Sequence, residues 1–181
     1  MTRARSILDT LHRGSLGLWM GVMLMVGATA AIAFPTMKSL DPQLPAYARY
    51  DGEHWAIAAG AIMNRAFLVS EWTTASIGAL AMMTLGFSRR HRNRVWLLRL
   101  LALATALGLS IWILALQRPA MSHHLETFWS AAAVGDNAMA AEHKAAFDRM
   151  HPIASTLLIA QLVSVGFALL GSCVSRSEEV A

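Results

Sequence analysis

Apolar residues in this chain gather into four long runs rather than into short alternating stripes. Leu16 to Phe34 carries no charge over 19 residues. Coiled as a helix it is about 28 Å long, close to the ~30 Å of a bilayer's hydrocarbon core. Ala66 to Phe87 is broken only by Glu71, and Val95 to Leu116 only by Arg99. Ile153 to Val174 is uncharged. Lipid offers backbone N–H and C=O groups no partners, so runs of this length must satisfy them internally as helices. Pro35 is expected to stop the first span, and Pro152 to occupy the first turn of the fourth. The pattern predicts an all-α integral membrane four-helix bundle with short helices in the two outer connections. Residues 1–181 are expected to form a single four-span domain, with spans at about 16–34, 66–87, 95–116 and 153–174.

The connections carry their own patterns. Residues 36–52 hold Pro42, Pro45 and Gly52 and read as an irregular loop. From Glu53 the chain reads helical, with Trp55, Ala59 and Ile62 on one face and the helix running on into span two. In the second connection, Glu126 to Val134 and Ala138 to Met150 read as two short helices. They break at Gly135-Asp136-Asn137, where Asp136 or Asn137 supplies the N-cap.

Composition supports lipid as the main solvent. Of the 181 residues, 56% are hydrophobic and 14% charged, against about 25% charge in soluble domains. One cysteine excludes an intramolecular disulfide framework. The net charge of +4 comes from cations lying outside the apolar runs, Arg99 excepted, which is the layout of membrane topology rather than of a nucleic-acid surface. Arg89, Arg90, Arg92 and Arg94 crowd the connection between spans two and three, and Arg3, Arg5 and Arg13 the N-terminal tail. Short arginine-dense segments stay cytoplasmic. This places both termini inside, with 35–65 and 117–152 facing outward, in a membrane taken to be a bacterial inner membrane. Arg3 to Arg13 before a run ending Ala31-Ile32-Ala33 also resembles a cleaved signal peptide. The run exceeds the ~7–15 residues of a signal's apolar region, so the first span is read as retained.

Small residues mark the expected helix seams, because apolar chains gain little by leaving lipid for one another. Gly17 and Gly21 stand in G-x-x-x-G spacing, and Thr156, Ala160, Ser164, Ala168 and Ser172 follow at i+4 steps. Both stripes are expected to face other spans, with homodimerisation, or docking of a membrane protein partner, as the alternative. The tryptophans, mostly near span ends, suit interfacial positions.

The chemistry candidates are few. Glu71 and Gln161 are polar within spans; Glu71 reads as one half of an ion pair with Arg65, Arg118 or Arg149, and Gln161 as an interhelical hydrogen bond. Arg99 is expected to snorkel to the interface. Five of the seven histidines, His54, His123, His124, His143 and His151, fall in the outer connections. His151, Glu71, His143, His54 and His124 form the candidate metal set, since imidazole with carboxylate suits zinc, copper or iron. Their spacing matches no metal motif, and haem between spans needs histidines facing each other inside the bundle. No nucleophile elbow, phosphate loop or dinucleotide fingerprint occurs.

Leu18-Trp19-Met20-Gly21, the run ending Ala33-Phe34-Pro35, and Phe147-Asp148-Arg149-Met150-His151-Pro152-Ile153-Ala154-Ser155 resemble the small four-helix membrane family that includes transmembrane protein 205. The resemblance spans nearly the whole chain and picks out Trp19, Gly21, Phe34, Pro35, Phe147, His151 and Ser155. It departs at Leu158 or Ile159, where an Asn is often expected in this last helix. It implies four membrane helices and no established reaction. Beside the last span's start, His151 is expected to be neutral and to fix that helix's entry. Two readings of function follow: a non-enzymatic structural or accessory bundle whose environment is the lipid bilayer, without cofactor, or a metal- or haem-handling protein with its site at the bundle's outer mouth.

Overall fold

The computed structural model describes residues 3–87 and 94–180, and the side chains of residues 6–87 and 94–173 within them. The arginine-dense connection 88–93 and the side chains of Arg3 and Arg5, on which the orientation rests, lie outside the described residues. Every regular element is helical: α1 (Arg3–Leu40), a single 3-10 turn (Pro45–Tyr47), α2 (His54–Phe87), α3 (Arg94–Trp112), a π turn (Ile113–Gln117), α4 (Arg118–Val134) and α5 (Asn137–Val180). Among the described residues, four helical stretches, Ser6–Leu40, His54–Phe87, Arg94–Val134 and Asn137–Cys173, are long and apolar enough to cross a membrane. The fold is all-α, that of a multi-pass membrane protein.

The helices outrun the spans read from hydropathy. The 34 residues of α2 rise about 51 Å at 1.5 Å each, well beyond a ~30 Å core. Pro35 does not end α1, nor does Pro152 begin α5; each sits inside its helix. A proline removes one rung of the ladder without unwinding a helix held by its neighbours. α1 ends instead where Asp41 takes a left-handed φ of 41° and its N–H bonds the Met37 carbonyl at 3.0 Å. Pro119 is absorbed differently. It occupies the first turn of α4, directly after the π turn, whose widened geometry relieves the ring's clash with the preceding carbonyls. The expected short helices of the second connection are therefore pieces of longer rods. Gly135 and Asp136 break them, Gly135 at φ 82°, where a Cβ would lie 2.8 Å from Arg49 Cβ. Asp136 then caps α5, accepting the Met139 N–H at 3.0 Å.

The chain forms two compact units. The first comprises residues 1–24, 70–112 and 157–181. Its core joins Leu16, Trp19 and Met23 of α1, Ala81 and Leu85 of α2, Leu103 and Ala106 of α3, and Val165 and Ala168 of α5. The second comprises residues 25–69 and 113–156. Its core joins Ile57 of α2, Leu125, Phe128, Ala131 and Ala132 of α4, and Ala140 of α5, with Tyr47, Tyr50 and Phe147 against them. Within this unit's part of α2 the buried residues are His54, Ile57, Ala59 and Met63, whereas Ile62, expected inside, is 47% exposed.

The small-residue stripes are corrected by the packing. Gly17 and Gly21 are exposed, and a Cβ on either meets nothing within 4 Å, so neither lies in a helix seam among the described residues. The seam of α1 is His12, Leu16, Trp19 and Met23. On α5, Ala160 is exposed, Ser164 half-buried and Ala168 buried. Each i+4 step advances about 40° around a helix of 3.6 residues per turn, so the stripe winds from the outer face to the inner one. The seam that stays inside is Gln161, Val165, Ala168 and Ser172.

The close approach in the first unit is at Gly78 rather than at the glycine pair. A Cβ there would stand 2.6 Å from the Trp19 ring and 3.2 Å from Leu107 Cδ1. Trp19 is fully buried and its rigid ring has no room to withdraw. Gly78→Ala is therefore expected to cost about 1–3 kcal/mol, read as a lower melting temperature in detergent, whereas Gly17→Ala leaves it unchanged or higher. Equal melting of the two variants would show that Trp19 does not rest on Gly78.

Candidate functional site

Several polar side chains inside each unit have definite partners, while the buried His12 Nε2, Trp19 Nε1, Arg99 Nε and Trp129 Nε1 have none among the described residues. In the first unit, Gln161 Nε2 donates to Ser110 Oγ at 2.5 Å, joining α5 to α3 where both are buried. This is the interhelical bond expected of Gln161. His12 is 4% exposed. Its Nδ1 lies 3.1 Å from the Ala81 carbonyl and 3.2 Å from Thr84 Oγ1. The Thr84 hydroxyl donates to the carbonyls of Leu80 and Ala81. A hydrogen on Nδ1 therefore serves both α2 oxygens, and Nε2 is left without a partner in the described structure. Sequence reasoning passed over His12 because it precedes the first apolar run. The signal was its spacing, at three to four residues, with Leu16, Trp19 and Met23. Glu71 is half-buried on α2, and its carbonyl accepts the Thr74 hydroxyl at 3.0 Å. Arg99 packs its aliphatic stem on Gly171, whose added Cβ would meet Arg99 Cγ at 2.8 Å. Its Nε is buried without a partner, so the side chain is more enclosed than snorkelling implies. Cys173 is exposed.

In the second unit, Arg118 Nη2 donates to the Asn64 carbonyl at 2.7 Å and to Asn64 Oδ1 at 2.8 Å, holding α4 to α2. Gln117 reaches the Met150 carbonyl at 3.4 Å, holding the π turn to α5. Asn137 fastens the loop before α2: its Nδ2 donates to Asp51 Oδ2 at 2.7 Å, and its Oδ1 accepts the Asp51 N–H at 3.2 Å. Lys38 Nζ stands 5.5 Å from the Trp55 ring centre.

The candidate metal ligands take separate places. His54 is committed to the backbone, its Nδ1 accepting the Leu44 N–H at 3.0 Å and its Nε2 lying 3.2 Å from the Tyr50 carbonyl. His151 is exposed, 5.9 Å between ring centres from Phe147. It lies deep within α5, which starts at Asn137, so the expected helix N-terminus is not beside it. His124 of α4 and His143 of α5 do meet, Nδ1 to Nδ1 at 3.1 Å. The exposed ring of His123 stands 5.5 Å from His124 and 6.1 Å from His143 by centroids. Among the described residues no group of three or more His, Cys, Asp or Glu is disposed to hold a metal ion. The five-residue set is thus not assembled at one point; two of its members are.

Comparison with protein-family models, with curated proteins and with solved structures finds no match for this chain.

Two measurements check this geometry. A double-mutant cycle of Gln161→Leu and Ser110→Ala should give a coupling of about 1 kcal/mol in detergent unfolding, and a coupling of zero would show the two side chains apart. Tyr50 lies edge-on to Phe128, with ring centres 5.7 Å apart. Burial, the largest cause, raises its phenol above the ordinary 10; the Lys144 cation opposes the rise, and the Glu53 and Asp148 carboxylates add to it. Ionisation is then easier in the unfolded chain than in the folded one. Stability is intact below about pH 10 and falls as pH rises through the folded value. Tyrosinate absorbance of the folded protein should contain a late-titrating component that Tyr50→Phe removes; an unchanged titration curve would place Tyr50 in water.

Proposed function

We propose that this chain is a non-enzymatic structural or accessory component of a membrane, most like a bacterial inner membrane. The carrying observation is where the buried polar side chains go. Gln161 bonds Ser110 on the facing helix, and His12 bonds the backbone of α2. In lipid, groups of this kind hold helices together. The resemblance to the transmembrane protein 205 family supports the same reading, since Trp19 and Gly21 of its first motif fall on a packed helix, Trp19 at its core. Metal handling is the second reading, favoured by the His124–His143 contact. Haem has less support, because His12, a histidine enclosed between helices, has its Nδ1 committed to α2.

Four spans put both termini on one side, and the arginine-rich connection 88–94 makes that side the cytoplasm. Green fluorescent protein fused after Ala181 is expected to fluoresce in bacterial cells, and alkaline phosphatase fused after Gly135 to be active. The reversed pattern would overturn the orientation. A Soret band in the detergent-purified protein would overturn the cofactor-free reading.

A further inference from the structure

We infer that His124 and His143 form a binding site for one late first-row divalent cation, such as Cu(II) or Zn(II), that staples α4 to α5. This deepens the metal-handling reading and does not depend on the accessory-bundle one. Three observations carry it.

The first is the contact itself. The two Nδ1 atoms lie 3.1 Å apart. An ion held about 2.0–2.1 Å from each nitrogen would subtend an N–metal–N angle of about 95–100° at that separation. This lies between the square-planar or octahedral angle and the tetrahedral one, so a closing of the pair by about 0.2 Å suits the first kind of ion and an opening by about 0.2 Å the second. As it stands the contact is an N–H···N bond in which one ring donates. Coordination needs a lone pair on both Nδ1 atoms, so the donor ring carries its hydrogen on Nε2 instead. No net proton is released when both rings are neutral.

The second is the setting. The hairpin turn at Gly135–Asp136 lays α5 back along α4, and Leu125, Phe128, Ala131, Ala132 and Ala140 pack the two together. The histidines are thus placed by a packed core and not by a loop. Both are half-buried, and His123 beside them is exposed, so an ion can enter from water.

The third is the surroundings. His123 offers a further imidazole next to both rings. Glu126 and Glu142, both exposed, flank the histidines in sequence and favour a cation. Lys144, the neighbouring positive charge, is paired with Asp148 at 2.6 Å. Two protein nitrogens with water completing the shell make an open site. That agrees with the described residues holding no preassembled group of three ligands.

The test uses the full chain, purified in detergent without a polyhistidine tag, titrated with CuCl2 and separately with ZnCl2 by calorimetry. Saturable binding of one ion per chain is expected, together with nitrogen hyperfine splitting in the Cu(II) paramagnetic resonance spectrum and a rise in melting temperature on loading. His124→Asn and His143→Asn should each weaken binding at least about tenfold, with helicity by circular dichroism showing that they fold. His123→Ala should weaken it less, and His151→Ala not at all. Binding that persists unchanged in the His124→Asn/His143→Asn variant overturns this site while leaving metal handling standing. Absence of saturable binding by the parent chain overturns both, and leaves the accessory-bundle reading intact.

Discussion

A polar group taken out of water must be answered by another polar group, and the answer costs less when a neighbouring helix supplies it. This constraint organises each unit. Apolar packing alone does little to hold helices together in lipid, since the alternative solvent is equally apolar. The Gln161–Ser110 bond and the bonds of His12 to Ala81 and Thr84 fix particular helices at particular heights. In the second unit, Arg118 reads both oxygens of Asn64, which fixes α4 against α2 in the same manner. A register one residue away would bury these groups unanswered.

The same constraint explains why prolines fail to act as stop signals here. A helix that ended at Pro35 would leave its last carbonyls without partners at the edge of the bilayer. Continuing α1 to Leu40 loses one hydrogen bond and keeps the rest. The end comes where solvent and a left-handed Asp41 can satisfy the terminal carbonyls. At Pro119 the backbone makes a different compromise and widens into the π turn Ile113–Gln117. Gln117, at the end of that turn, finds the Met150 carbonyl.

Much of this architecture was legible in the sequence. The four apolar runs announce four membrane helices because their length is matched to a physical thickness. Gly135-Asp136 announces the sharp turn because a left-handed position and a cap must stand together there. The extent of the rods was not legible, since a proline's local preference to end a helix does not say when the helix continues past it, as at Pro35 and Pro152. Nor was the small-residue seam: Gly17 and Gly21 satisfy the spacing rule yet face outward, while isolated Gly78 receives the Trp19 ring. Spacing says which residues share a face, but not what the face meets. The candidate site was legible only in part, because His124 and His143 lie on different helices and their meeting depends on the pitch of the turn between them.

The histidines show how one side chain is given different work by its surroundings. His54, at the start of α2, has both ring nitrogens engaged by the backbone of the preceding loop, so it closes that loop and has nothing left to offer an ion. His12 gives its Nδ1 to α2 and encloses its Nε2 among side chains, which leaves no path from water. His151 is open to solvent but stands beside a phenyl ring rather than a second ligand. At His124 and His143 the conditions for a ligand coincide: two imidazole nitrogens at the distance one ion requires, a packed hairpin that holds them there, and an exposed side. In the hydrogen-bonded pair only one ring can donate, and among the described residues each Nδ1 is partnered by the other. A cation accepts a lone pair from both at once, so a change of tautomer and a tilt of the two rings turn a pair weakly satisfied without metal into two ligands of one ion.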